Sequence, residues 1–146
     1  MKIVIQRCLE ASVTIGGKLH SEIGPGMMVL VGVDKEDKDE NAIHLAAKTA
    51  ALRIFDDEYG VMNLSLVQTG GDALCVSQFT LLASTRKGNR PSYINAAGHE
   101  LATRLYELYC QELSKLLAKP VGRGVFGADM QVALVNDGPV TIIMES

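Results

Sequence analysis

Ser77-Gln78-Phe79-Thr80-Leu81 places two hydroxyls and an amide at the end of an apolar run, Ala73-Leu74-Cys75-Val76. Hydroxyls beside free main-chain N–H groups suit acyl chemistry, in which an oxygen attacks a carbonyl and the developing negative charge must be held. A strand with a solvent-facing polar edge has the same composition, so the stretch alone does not decide. A serine-hydrolase reading with Ser77 or Thr80 as nucleophile needs a base within reach and a third group to orient that base. The bases on offer, His20, His44 and His99, are scattered, and Ser77 stands between Val76 and Gln78 rather than in a Gly-x-Ser-x-Gly elbow. The same scatter gives no zinc set, and neither a metal nor a cofactor is expected.

Three further stretches carry chemistry-bearing residues. Arg86-Lys87-Gly88-Asn89-Arg90-Pro91-Ser92-Tyr93 is a basic loop, and Arg86, Lys87 and Arg90 are candidates for phosphate contacts. Gly124-Val125-Phe126-Gly127-Ala128-Asp129-Met130 sets small residues around Phe126 ahead of Met130, a composition for a flat apolar slot that fits a nucleobase, or for a bulge between strands. Asn136-Asp137-Gly138-Pro139-Val140-Thr141 lies between the apolar runs 130–135 and 140–144. On these six residues alone the pattern favours a hairpin turning at Asp137-Gly138. Pro139, which has no N–H to donate where a return strand would begin, makes Gly138-Pro139 a candidate cis peptide.

Composition narrows the class. With 146 residues, 47% hydrophobic and 21% charged, the chain reads as one globular domain over residues 1–146 with a sizeable core. A net charge of −3 argues against gripping long stretches of phosphate backbone, though not against reading one nucleotide in a pocket. Cys8, Cys75 and Cys110 are odd in number and widely spaced, which points to small buried residues rather than disulfides. No apolar run reaches membrane-spanning length, and Met1 to Gln6 enters a strand pattern directly, so a cytoplasmic protein is expected.

The elements that must position these residues follow from periodicity. Strands are expected at 2–7, 12–15, 19–23, 27–33, 64–67, 73–82 and 121–126, the fourth of these covered on both faces. Helices are expected from about Asp39 to Phe55 and from about Ala97 to Ala118, where Pro120 stops the second. The pattern predicts an α+β fold, a curved mixed or antiparallel sheet or partial barrel packed with two main helices.

Ser77-Gln78-Phe79-Thr80-Leu81, Gly88-Asn89-Arg90-Pro91-Ser92, Phe126-Gly127-Ala128-Asp129-Met130 and Asn136-Asp137-Gly138-Pro139-Val140-Thr141 occur in order. Together they resemble the D-aminoacyl-tRNA deacylases, also called D-tyrosyl-tRNA deacylases, and the resemblance covers essentially the whole chain. It implies a homodimer that hydrolyses the ester between a D-amino acid and the terminal adenosine of tRNA; some members also clear glycine from mischarged tRNA(Ala). It implies that Ser77, Gln78, Phe79 and Thr80 line the reaction centre, with N–H groups near Phe79 holding the ester carbonyl. Phe126, Gly127, Ala128 and Met130, with Asn136 nearby, would bound the adenosine pocket. The carbonyls of Gly138 and Pro139, across a cis bond, would enter the partner's pocket and exclude an L side chain. Activation of water would fall largely to the 2′-hydroxyl of the tRNA, with a Thr80 or Ser77 nucleophile as the alternative.

Overall fold

The computed structural model describes residues 1–146. In chain order the elements are β1 (Lys2–Ile15), β2 (Lys18–Ile23), β3 (Gly26–Gly32), α1 (Asp39–Ala51), β4 (Phe55–Asp56), β5 (Met62–Leu64), α2 (Leu66–Thr69), β6 (Asp72–Ser77), a 3-10 turn (Phe79–Leu82), α3 (His99–Leu117), β7 (Gly122–Arg123) and β8 (Gln131–Glu145). β1 is the strand on which the others assemble. One of its edges pairs antiparallel with β8 from Lys2 to Thr14, while the other is divided between β3 at residues 2–8 and β2 at residues 11–15. The sheet continues from β3 to β6 to β7 by parallel pairing, so it is mixed.

The central strands β3 and β6 are buried on both faces, and strand alternation says which residue goes where. Ile3, Ile5, Met27, Val29, Val31, Ala73 and Cys75 face the larger core, which α1 and α3 cover with Leu45, Leu105, Tyr109 and Leu113. Each fully buried side chain of this size stabilises the fold by roughly 1.5–3 kcal/mol. Met28, Leu74 and Val76, on the opposite face, meet Cys8, Ala11 and Val13 in a second, smaller core. One sheet closing a core on its own inner face must be curved. β1 supplies the curvature: its register against β8 shifts at Gln6/Cys8 and again at Cys8/Glu10. Alanines at 42, 46 and 50 bring α1 close to its neighbours, and its Thr49 hydroxyl pairs with the Tyr109 hydroxyl at 2.8 Å. Gly26 permits an equally close approach of strands, since a Cβ there would lie 1.9 Å from the Asp72 carbonyl oxygen.

The α+β expectation, with two main helices on a curved mixed sheet, holds, and five local expectations do not. Residues 2–7 and 12–15 belong to one strand, β1, because β8 is long enough to template both halves. The helix from Asp39 ends at Ala51, and Phe55 begins β4. Of residues 64–67 only Leu64 is in a strand, as the end of β5: Ser65 accepts from the Gln68 N–H and Gln68 accepts from the Ser65 N–H, a reciprocal cap that starts α2. β6 stops at Ser77 rather than at residue 82, since β3 ends at Gly32; after Gln78 N–H reaches the Val31 carbonyl at 2.7 Å there is no ladder left to extend. The expected strand 121–126 is only β7.

The largest departure concerns the stretch around Gly138-Pro139, which is no hairpin. Residues 131–136 pair with residues 8–14 of β1 and residues 141–145 with residues 2–6, so the chain keeps its direction throughout. Between the pairs Cys8↔Asn136 and Gln6↔Thr141, the single residue Arg7 faces 137–140, and these four residues bulge from the ladder. The Gly138-Pro139 peptide within the bulge is cis, and both residues are exposed.

Candidate active site

A cavity of about 310 Å³ opens beyond the C-terminal ends of the parallel pair β3 and β6. Ser77, Gln78 and Phe79 line one side, and Phe126, Gly127, Ala128, Asp129 and Met130 line the other. Two of the stretches singled out from sequence thus meet in one site. The chain leaves β6 at Ser77 and enters the 3-10 turn at Phe79, whose first N–H groups have no acceptor within the turn. The turn folds back over the end of β3, where a Cβ at Gly32 would sit 2.6 Å from Leu82 Cδ2 and 3.0 Å from the Gln78 carbonyl oxygen.

The opposite wall rests on α3. The Phe126 ring packs edge-on against His99, with centroids 5.2 Å apart, and lies 6.1 Å from the Tyr106 ring. Tyr106 in turn donates its hydroxyl to the Cys75 carbonyl at 2.8 Å, tying this wall to β6. A Cβ at Gly124 would lie 2.6 Å from Met130 Sδ, so glycine there leaves the room Met130 occupies. Burial, and then the neighbouring Cys110, raise the Tyr106 phenol well above its usual range, and a hydrogen bond with Cys110 together with complete burial does the same for the Cys75 thiol. All three cysteines are free and buried.

The remaining candidates lie outside the cavity. Thr80 is exposed and accepts a hydrogen bond from Gln78 Nε2, and its side chain does not line the cavity. Arg86, Lys87 and Arg90 are exposed on a loop closed by reciprocal backbone bonds between Ser84 and Ser92 at 2.8 and 2.9 Å. Arg86 also borders a wider depression that contains Asp34, Glu36 and Glu145. Asn136 sits at the root of the 137–140 bulge rather than at the cavity: its Oδ1 accepts from the Val140 N–H at 2.9 Å and its Nδ2 donates to Thr141 Oγ1 at 3.3 Å. Gly138 and Pro139 do not line the cavity of their own chain.

Arg7 is the residue that sequence reasoning passed over. It is 7% exposed and donates to the Asp137 carbonyl at 3.0 Å and the Ile54 carbonyl at 2.7 Å, with the Asp56 and Asp137 carboxylates each at 3.2 Å. One guanidinium thereby pins the bulge to the end of the α1 connection. The signal was available: in the alternation Ile3, Ile5, Arg7, a cation occupies a core-facing position, which is rare unless it is paired.

The family model described as D-Tyr-tRNA(Tyr) deacylase matches residues 4–145. The chain belongs to this family. D-aminoacyl-tRNA deacylases of Porphyromonas gingivalis and Bacteroides thetaiotaomicron are 59% and 56% identical to it over 146 residues, spanning the whole chain and 97% of each relative. Among solved structures, the c-Myc DNA unwinding element binding protein superposes with a TM-score of 0.95 at 42% identity, covering 100% of this chain and 99% of that one. No helix of the chain is long and apolar enough to cross a membrane.

Proposed function

We propose that the chain hydrolyses the ester of D-aminoacyl-tRNA, releasing the free D-amino acid and tRNA. The observation that carries this reading is the meeting of the Ser77–Phe79 turn and the Phe126–Met130 slot in one cavity, in a chain of the deacylase family. The slot takes the adenine, and the ester carbonyl points at the main-chain N–H of Phe79. Water attacks the carbonyl carbon, the bond to the ribose oxygen breaks, and the proton passes to that oxygen. No histidine lines the cavity, and His99 is engaged with Phe126. The reading therefore assigns water activation to the adjacent 2′-hydroxyl of the tRNA and leaves the protein to orient and polarise. A main-chain donor in such a role contributes about 100- to 1000-fold in rate.

The chiral gate comes from a second copy of the chain. Gly138 and Pro139 are exposed, stand out from the ladder, and are braced by Arg7 and Asn136, yet lie outside their own cavity. Inserted into the partner's cavity, their carbonyls accept from the α-amino group and occupy the space an L side chain would need. A backbone wall rejects one hand while tolerating many side chains on the other. Glycine carries no side chain to clash, so glycine mischarged on tRNA(Ala) is a substrate on the same reasoning.

Incubation with D-Tyr-tRNA and L-Tyr-tRNA tests this directly: the D ester is cleaved and the L ester is spared. Equal cleavage of both removes the gate, and cleavage of neither removes the function. A covalent acyl-Thr80 or acyl-Ser77 adduct in the mass spectrum would replace the RNA-assisted route with a protein nucleophile.

A further inference from the structure

The cavity is at the lower end of the roughly 300–1,000 Å³ typical of small-molecule sites. An adenosine takes up most of that volume and leaves none for a second nucleotide, so the nucleotide before it must lie outside, on the rim. That rim has an unusual surface. Phe79 is 55% exposed and packs edge-on against Tyr93, itself 39% exposed, with centroids 5.0 Å apart, and Ile94 beside them in sequence is 75% exposed. Two aromatic rings left open at the mouth of a cavity are a stacking surface rather than an incidental exposure.

On the Phe79–Tyr93 side of this rim the chain carries only cations, while Asp129 belongs to the opposite wall. No acidic residue occurs between Asp72 and Glu100, in a chain whose net charge is −3. Arg86, Lys87 and Arg90 stand on the loop that leads into Tyr93, and none of them takes part in an ion pair. Arg86 shares its depression with carboxylates, which leaves Lys87 and Arg90 as the freer cations. Open rings beside unpaired cations make up the surface that binds single-stranded nucleic acid: bases on the rings, phosphates on the cations.

We propose that Phe79 and Tyr93 form a platform for the cytidine that precedes the terminal adenosine, with Lys87 and Arg90 on the adjoining phosphates. The inference rests on the deacylase reading above and adds that the single-stranded CCA end, and not the adenosine alone, is the recognised unit.

The test compares D-tyrosyl-adenosine with a D-tyrosyl-CCA trinucleotide as substrates. One stacked base improves binding by about 5- to 150-fold, so kcat/KM for the trinucleotide exceeds that for the nucleoside ester by a factor in this range. The ratio falls by about the stacking factor in Tyr93→Ala, leaving the phosphate contribution, and is restored in Tyr93→Phe, which keeps the ring and controls for folding. The trinucleotide rate falls with salt by a log–log slope of roughly −0.7 per phosphate engaged, and Lys87→Gln with Arg90→Gln flattens it. Equal kcat/KM for the two esters in the unsubstituted protein overturns the platform and leaves the deacylase reading standing. A ratio unchanged by Tyr93→Ala also overturns it. Failure to cleave either D ester, or intact D-Tyr-tRNA, sinks both.

Discussion

Replacing Gly138 with alanine separates a gate from a mere bulge. Gly138 has φ +132, and a Cβ on it would lie 2.8 Å from Val140 Cγ2, 3.1 Å from Val140 N and 3.3 Å from Arg7 Nη2. Holding a side chain in that backbone region costs roughly 1–3 kcal/mol. A carbon–carbon approach of 2.8 Å is also too short to persist, so the segment must shift. In a protein of this size such a loss lowers Tm by no more than about 12 °C, which leaves the chain folded at room temperature. The effect on rate is larger, because displacing a positioning group by about 1 Å costs on the order of 100-fold. The expected result is a modest fall in Tm by circular dichroism and a loss of about 100-fold or more in single-turnover cleavage of D-Tyr-tRNA. Gly17→Ala is the matched control: φ is +76 in the β1–β2 turn, nothing lies within 4 Å of the added Cβ, and the backbone penalty is similar but remote from the cavity. Gly138→Ala behaving like Gly17→Ala, destabilised yet fully active and still selective for the D ester, would refute the reasoning.

Arg7→Gln withdraws the donors that hold the Asp137 and Ile54 carbonyls, at about 1–3 kcal/mol for each group left unsatisfied, and frees the bulge. Urea denaturation should show the loss of stability and D-Tyr-tRNA cleavage should slow with it. Arg7→Lys should not restore either, since an ammonium lacks the fork that spans these partners. The pairs with Asp56 and Asp137, whose side chains are 52% and 42% exposed, add little of this energy. Ser77→Ala and Thr80→Ala should each keep deacylation within about tenfold, roughly one hydrogen bond's worth, and a steeper loss in either would favour a protein nucleophile. Asp57 organises the turn between β4 and β5, accepting from the Val61 and Tyr59 N–H groups at 3.1 and 2.9 Å, and the first of these is the main reason its carboxyl titrates below its ordinary 3.8. A lowered folded pKa means a stabilising contribution present above the ordinary value and lost as pH falls through the lowered one. Carbon-13 titration of the Asp57 carboxyl should show the depression, and Asp57→Asn should flatten the stability profile in that acid window.

The elements of the fold were legible where local chemistry dictates them. Alternation marks Ile3 and Ile5 as core, the unbroken apolar run 27–33 marks a strand buried on both faces, and Pro120 marks the end of α3. The motif residues 77–79 and 126–130 were equally legible, but as separate stretches about fifty apart, and only the parallel pairing of β3, β6 and β7 brings them to one cavity. Pairing partners are what a local pattern cannot carry. Asp137-Gly138 reads as a hairpin turn, and it is extended through a bulge because β1 offers fourteen residues of edge on which both flanking runs can stay in line. Arg7 shows the same division: its core-facing position is written in the alternation, while the carbonyls that justify burying a cation come from residues 54 and 137 and exist only once the chain has folded. Residue type and spacing determined which groups could do chemistry here. Long-range backbone pairing decided which of them face one another, because hydrogen-bond partners in a sheet are chosen by the whole chain.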